Sequence, residues 1–213
     1  MASAETGEAG APLRGVVGVV LAGGASRRMG RDKAALLIGG EPLLRRAVER
    51  LRLALAEVMV VGGSALAPLA PDTRIVADGW PGRGPLGALA TALGATDADW
   101  VVMVACDMPF TQPALIREIA RRALASHDLD AVALRGARGL EPLHAAYSRA
   151  CLPLALERLA GDDASLRGLL TAARVGEISA AEARPLDPAG RSAFNANTPE
   201  EWRAALRLAE AEG

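Results

Sequence analysis

Residues 16–33 read VVGVVLAGGASRRMGRDK, and this stretch decides how the rest of the chain is interpreted. Residues 16–22 are an almost continuous apolar run, which is typical of a strand buried on both faces of a parallel sheet. The glycines that follow let backbone N–H groups come close to an anion. Four cations come next, at Arg27, Arg28, Arg31 and Lys33. The stretch predicts a phosphate-binding loop, the plainer alternative being a glycine turn with solvated arginines; it matches neither the Walker A loop nor the dinucleotide-binding motif.

The composition describes a globular chain with little overall charge. Of its 213 residues 51% are hydrophobic and 23% are charged, and the net charge is -1. Such a balance argues against nucleic acid or an anionic membrane surface as a partner. No apolar run approaches the ~20 residues of a membrane span, and two cysteines are too few for a disulfide framework, which favours a cytoplasmic protein. We expect residues 1–13 to be a disordered tail and residues 14–213 to form a single domain.

Apolar runs alternate with segments of helical periodicity along the rest of the chain. The pattern predicts strands at 16–22, 58–61, 74–77 and 100–106, weaker strands at 131–134, 143–147 and 174–178, and helices at 42–55, 85–95, 112–125, 148–159, 165–172 and 198–210. The last helix carries a strong start signal, with Thr198 as N-cap, Pro199 at its first position and Glu201 at its third. This alternation predicts an α/β fold, a three-layer Rossmann-like sheet that is mainly parallel and has helices on both faces.

Polar side chains directly follow two of the predicted strands, at the edge where such sheets bind ligands. Asp107 comes after the clearest strand and before Met108 and Pro109, and Asp78 follows the third strand. We interpret Asp107 as a ligand for Mg²⁺, because that ion keeps several waters and takes one or two carboxylates. The alternatives are a cap on the following helix for Asp107 and an ordinary Asp-Gly turn for Asp78.

Two residue types that the chain otherwise avoids occur inside motif-like stretches. Lys33 is the only lysine, and Asn195 and Asn197 are the only asparagines. Two residues apart in an extended segment, the asparagine side chains would point the same way, and amides both donate and accept hydrogen bonds. The alternative is a pair of loop-stabilising Asx turns. His127 and His144 stand apart from any partner at metal spacing, so we expect both to be structural.

Six stretches, taken in order, resemble one protein family. They are LAGGASRRMGRDKA (21–34), VADGWPGRGPLGAL (76–89), ACDMPF (105–110), EPLHAAY (141–147), SLRGLL (165–170) and NANTPEE (195–201). Together they resemble the MobA-like nucleotidyltransferases, in particular the molybdenum cofactor guanylyltransferases, over roughly residues 14–208. The first stretch is highly specific, whereas the later ones carry weight only as a series.

The resemblance implies a nucleotide-diphospho-sugar transferase-like fold and a nucleotidyltransferase domain over residues 14–213. It implies an enzyme that moves GMP from GTP to the terminal phosphate of molybdenum-bound molybdopterin, with Mg²⁺, releasing pyrophosphate. Molybdoenzyme apoproteins or cofactor-delivery proteins would receive the product. The residues that it assigns are Lys33, Arg28 and Asp107 for catalysis; Leu21, Ala22, Gly23, Gly24, Lys33, Gly62, Asp78, Gly84 and Asp107 for GTP; Asn195 and Asn197 for the pterin; and Asp107 for the metal.

Three other functions stay open from the sequence. A cytidylyltransferase acting on the same pterin is the nearest, and those relatives tend to read LAAG where this chain reads LAGG. A nucleotidylyltransferase for a sugar phosphate or phospholactate would share the loop but not the pterin-side motifs. A non-catalytic nucleotide-binding or adaptor domain would not need the metal-binding aspartate.

Overall fold

The computed structural model describes residues 10–23, 33–161 and 163–211. Within them the strands are β1 (Leu13–Ala22), β2 (Leu37–Ile38), β3 (Glu41–Pro42), β4 (Leu55–Gly62), β5 (Arg74–Val76), β6 (Trp100–Ala105), β7 (Ala131–Gly136), β8 (Gly139–Ser148) and β9 (Val175–Ile178). The helices are α1 (Leu43–Arg52), α2 (Gly84–Gly94), α3 (Pro113–Ala125), α4 (Cys151–Ala160), α5 (Leu166–Ala172), α6 (Ala180–Ala183) and α7 (Pro199–Glu210). None of these described helices is long and apolar enough to cross a bilayer.

Seven strands form one sheet in the order β5-β4-β1-β6-β8-β7-β9. Every neighbouring pair is parallel except the two that β8 makes, so the sheet is mainly parallel, as predicted. The chain passes from β1 outward to β4 and β5, and then returns to β6 on the other side of β1. The carboxyl ends of β1 and β6 therefore meet where the strand order reverses, which is where α/β sheets bind ligands.

Helices cover both faces of the sheet, which confirms the three-layer fold. Side chains of α1 and α3 pack with one face of the strands, and those of α2, α4 and α5 pack with the other. The apolar run in β1 explains its central place, because residues 16–22 are all buried, which the interior of a sheet covered on both sides requires.

A third, smaller apolar cluster lies beyond the carboxyl edge of the sheet. It joins Ile38, Leu43, Phe110, Ala196 and Ala205. The Phe110 and Phe194 rings meet edge to face, with centroids 5.8 Å apart and planes at 67°. This cluster holds the turn after β6, the segment before α7 and the start of α1 together, and so fixes the frame around the site.

Most predicted elements are present, with shifted boundaries. The predicted start of α4 at residue 148 is wrong, because Ser148 still belongs to β8 and α4 begins at Cys151. The sequence boundary at residue 14 falls inside β1, which begins at Leu13. The small hairpin of β2 and β3 was not predicted, although its turn is Gly39-Gly40 with φ of +60° and +81°, the left-handed conformation that a two-residue hairpin needs.

Candidate active site

The site is built where β1, β4, β5 and β6 end. β1 and β6 stay in register up to Leu21 and Ala105, and Cys106 N donates to Leu21 O at 3.0 Å. Asp107 follows immediately and turns out of the sheet. The strand ends thus bring the predicted nucleotide-binding backbone of residue 21 beside the start of the turn that carries Asp107.

Lys33, Asp107 and Asn197 meet at this edge. The Lys33 ammonium donates to Asp107 Oδ2 at 3.1 Å and to Asn197 Oδ1 at 2.8 Å. The side chains of Lys33 and Asp107 are only 13% and 14% exposed. The only lysine in the chain, one of its two asparagines and the aspartate after the central strand are therefore in direct contact.

Four hydrogen bonds fix the turn that carries Asp107. Met108 N donates to Ala105 O at 3.2 Å, and Ala196 N donates to Asp107 O at 3.0 Å. Thr111 Oγ1 donates to Met108 O at 3.0 Å, and Arg46 Nε donates to Pro109 O at 2.8 Å. The backbone that carries the carboxylate is thus held by hydrogen bonds from β6, from α1 and from the segment before α7.

Asp107 is not a helix cap. The N-cap of α3 is Gln112, and no side chain closes that end by the usual capping bond. Among the described residues no three His, Cys, Asp or Glu side chains converge as a metal cluster. A single carboxylate suits Mg²⁺ when phosphate oxygens and waters complete the shell, and it does not suit zinc, which takes three or four protein ligands. The residues present fit the predicted ion.

The two asparagines behave differently. Asn197 Oδ1 faces Lys33, whereas Asn195 Nδ2 makes a 3.4 Å contact with Ala193 O in its own loop. Asn195 is half-buried and Asn197 exposed. Within the described residues the structure therefore joins Asn197, but not Asn195, to the Lys33–Asp107 pair.

Asp78 lies in the Asp-Gly turn that was the alternative interpretation from sequence. Its Oδ1 accepts from Trp80 N at 2.9 Å and from Thr91 Oγ1 at 3.4 Å. The turn leads to Gly84, the first residue of α2. The Asp78 side chain is thereby fixed just after β5 by one backbone and one side-chain hydrogen bond.

Gly62 ends β4 opposite Ala22 of β1. A Cβ built on Gly62 would lie 2.3 Å from Ala22 O and 2.6 Å from Leu66 Cδ1, which excludes any larger residue without movement of the backbone. Any contact that Gly62 makes with a ligand is therefore a backbone contact. The predicted loop residues Gly24 and Arg28 lie outside the described residues.

His144, which we expected from the sequence to be structural, belongs to a buried polar group that the sequence did not predict. His144 and Ser192 are both 0% exposed. His144 Nε2 lies 2.7 Å from Ser192 Oγ, and its Nδ1 lies 3.1 Å from Leu143 O. Since a carbonyl only accepts, the ring proton is on Nδ1 and Ser192 donates to Nε2. Burial lowers the pKa of the His144 imidazole from 6.5 to about 4.

This buried imidazole predicts a loss of stability in mild acid. The unfolded chain binds a proton at His144 near pH 6.5 and the folded chain only near pH 4, so folding is favoured above pH 6.5 and the advantage disappears as the pH falls toward 4. The free energy of unfolding should drop by about 3 kcal/mol across that window. Urea titrations between pH 7 and pH 4 measure it.

The carboxylates of Glu118 and Glu182 affect the stability of the fold at a lower pH than His144 does. The pKa of Glu118 is lowered to about 2, chiefly by a hydrogen bond from Arg121, and that of Glu182 to about 2, chiefly by a hydrogen bond from Ser179. Their effect on stability therefore lies below pH 4.5. In His144→Gln the slope between pH 6.5 and 4 should flatten, and an equal slope in both proteins would contradict the assignment to His144.

Comparison with known proteins finds the family that the sequence resembles. A family model described as the MobA-like NTP transferase domain matches residues 18–178. A probable molybdenum cofactor guanylyltransferase of Pelotomaculum thermopropionicum is 38% identical over 194 residues, which cover 91% of this chain and 93% of that protein.

Solved structures give the same fold. Molybdopterin-guanine dinucleotide biosynthesis protein A from Archaeoglobus fulgidus has a TM-score of 0.80 at 22% identity, covering 92% of this chain and 99% of that one. A Mycobacterium tuberculosis protein in complex with manganese has a TM-score of 0.67 at 23% identity, covering 93% of this chain and 100% of that one. At these identities the structures show the fold alone. By its sequence relatives, its family model and its sheet, the chain belongs to the MobA-like NTP transferase family of nucleotidyltransferases.

Proposed function

We propose that the chain is a guanylyltransferase that moves GMP from GTP to the terminal phosphate of molybdenum-bound molybdopterin. The observation that carries the proposal is the contact of Lys33 with both Asp107 and Asn197 at the edge where β1 and β6 end. One cation there joins the predicted nucleotide side of the site to its predicted pterin side. The names of the relatives, such as that from Pelotomaculum thermopropionicum, support the choice of nucleotide and acceptor.

The proposed reaction does not need a strong general base from the protein. A pterin phosphate oxygen forms a bond to the α-phosphorus of GTP, the bond from that phosphorus to the bridging oxygen breaks, and pyrophosphate leaves with the electron pair. The attacking phosphate has a second pKa near ~6 and is largely ionised at neutral pH. Catalysis then depends on in-line positioning and on neutralising charge.

Lys33 and Asp107 would neutralise the phosphate charge in two different ways. Lys33 is a compact positive charge placed to receive phosphate oxygens after it leaves Asp107. Asp107 would hold the Mg²⁺, which when bound neutralises phosphate charge and orients the leaving group. A Mycobacterium tuberculosis protein of the same fold forms a complex with manganese, which is compatible with the use of a divalent ion here.

The remaining predicted contacts surround this pair. We assign the backbone of Leu21, Ala22 and Gly23 to the guanine and Gly62 to the same side. Asp78 and Gly84 would approach the nucleotide from the end of β5. Gly24 and Arg28 would contact the phosphates, and Asn195 and Asn197 the pterin. Both cysteines are buried and neither forms a disulfide, which suits the reducing cytoplasm predicted for the protein.

A cytidylyltransferase is the second candidate. The LAGG sequence, which we expect to contact the base, is the feature that separates the two. Thermal melts with Mg²⁺ distinguish them. At one hundred times its Kd a nucleotide adds about 2.7 kcal/mol, and in a chain of this size that raises the Tm by roughly 5–10 °C. We expect this shift with GTP and a smaller one with equimolar CTP, and a larger shift with CTP would reverse the assignment.

Product analysis completes the test. With GTP, Mg²⁺ and loaded pterin, the protein should release pyrophosphate and form the guanine dinucleotide. GTP binding without pyrophosphate release would favour the adaptor function instead. Release with a sugar phosphate in place of the pterin would favour the third candidate.

A further inference from the structure

Four of the five buried polar side chains among the described residues lie in the Asp107 turn or are linked to it by hydrogen bonds: Thr111, His144, Asp187 and Ser192. We call the last three the His144 junction. His144 comes from β8, next to β6, whereas Asp187 and Ser192 come from the segment that leads to Asn195 and Asn197. Burying polar groups is costly unless each is hydrogen-bonded, so such a concentration calls for a physical reason.

Every polar atom that defines the junction has a partner. Ser192 Oγ lies 2.7 Å from His144 Nε2 and accepts from Gln112 N at 2.9 Å. Asp187 accepts from the backbone N–H groups of Ser192 and Arg191, at 2.8 and 3.1 Å. Asp187 thus binds backbone N–H groups, whereas the fully buried contact is that between His144 and Ser192. The junction is therefore a structural hydrogen-bond network and not a catalytic serine with its histidine base.

The His144 junction connects the turn that carries Asp107 with the segment that carries Asn195 and Asn197. Gln112 ends the turn that begins at Asp107, and Ser192 holds its N–H. Beyond Ser192 on the same segment, Ala196 N donates to Asp107 O at 3.0 Å, and Asn197 receives Lys33. His144 therefore anchors the asparagine segment and the aspartate turn to the same strand, β8.

We propose that His144 is a positioning residue: through Ser192 it sets the place of residues 195–197 relative to Asp107, and thereby the alignment of the acceptor. An apolar residue would fill the space but could not accept the Ser192 proton, and Ser192 would then be free to turn away from Gln112. The kinetic part of this proposal rests on the proposed function, whereas the structural part does not.

Amide hydrogen exchange tests the structural part. In His144→Leu and Ser192→Ala, the Ala196 and Gln112 amides should exchange at least tenfold faster, while the Val102 amide in β6 changes no more than the loss of global stability requires. His144→Gln should restore protection, because its Oε1 can accept from Ser192 where Nε2 does. His127→Leu, at the chain's other and exposed histidine, is the matched control. Equal acceleration at all three amides would overturn the proposal.

Steady-state kinetics tests the alignment. We expect Ser192→Ala and His144→Leu to raise the KM for the pterin at least tenfold with the KM for GTP within twofold, and His144→Gln to lie near wild type. Equal changes in both KM values would overturn it. If His144→Leu does not fold, Ser192→Ala decides alone, since it removes one oxygen. If the wild-type protein transfers nothing, the proposed function fails while the exchange result still judges the positioning role.

Discussion

Replacing Asp107 by asparagine is expected to reduce turnover by about 10³-fold while leaving metal-free GTP binding within a few-fold of wild type. The amide keeps the shape of the carboxylate and its oxygen can still accept from Lys33, so the fold around the turn is retained. What it loses is the negative charge that would hold Mg²⁺, and metal assistance contributes several kcal/mol to such reactions. Pyrophosphate release at saturating substrates, with calorimetric GTP binding in the presence of a chelator, measures the two effects separately.

A matched control is Asp97→Asn, which removes the same charge from a fully exposed side chain 3.9 Å from Arg149, before the amino end of β6. Its turnover should stay within twofold of wild type. If Asp107→Asn turned over normally, Asp107 would have no part in the reaction. If it also lost metal-free binding of GTP, the residue would be a nucleotide contact and not a metal ligand.

The elements that could be predicted from sequence are those with local causes. Residues 16–22 and 100–106 are apolar throughout because both faces of their strands are covered. The start of α7 was readable because Thr198 and Glu201 exchange hydrogen bonds with each other's backbone over three residues. In each case the physical reason lies within one short stretch of chain.

What escaped prediction depends on distant contacts. β8 runs antiparallel, and nothing within EPLHAAY indicates its direction, which is set by the hairpin it makes with β7. The role of His144 depends on Ser192, 48 residues away. The Gly39-Gly40 hairpin is different, since its turn signal was present and its two-residue strands were too short to give a periodic pattern.

The site shows the same division. Lys33 and Asn197 could be singled out because their residue types are rare in this chain, and Asp107 because it ends a buried strand. Their contact could not, because Lys33 and Asn197 are 164 residues apart. For Asp78 the sequence left open an Asp-Gly turn and a nucleotide contact, and the hydrogen bonds from Trp80 and Thr91 show the turn while leaving the nucleotide role to experiment.

Replacing Lys33 by alanine is expected to lower kcat/KM by about 10²–10³-fold, or roughly 2.7–4 kcal/mol of transition-state stabilisation, the range found when one preorganised donor to developing charge is removed. The lysine is mostly buried and is held at the site by Asp107 and Asn197, so it lies within reach when phosphate arrives. Arg45→Ala is a suitable control, because that cation is 56% exposed and lies 3.9 Å from Glu41. An effect below tenfold would leave Lys33 as a structural partner of Asp107.

The same variant in the Asp107→Asn background separates the two roles. If Lys33 contacts the triphosphate directly, Lys33→Ala should weaken metal-free GTP binding by about 10–100-fold in both backgrounds, since a hydrogen bond to a charged group contributes about 1.5–3 kcal/mol. If Lys33 serves only to hold Asp107, Lys33→Ala should leave metal-free GTP binding within a few-fold in both backgrounds, because that binding does not depend on the carboxylate. Calorimetry of GTP binding to the wild type, the two single variants and the double variant distinguishes these outcomes. If Lys33→Ala has no effect on metal-free binding, Lys33 positions Asp107 and does not contact the phosphates.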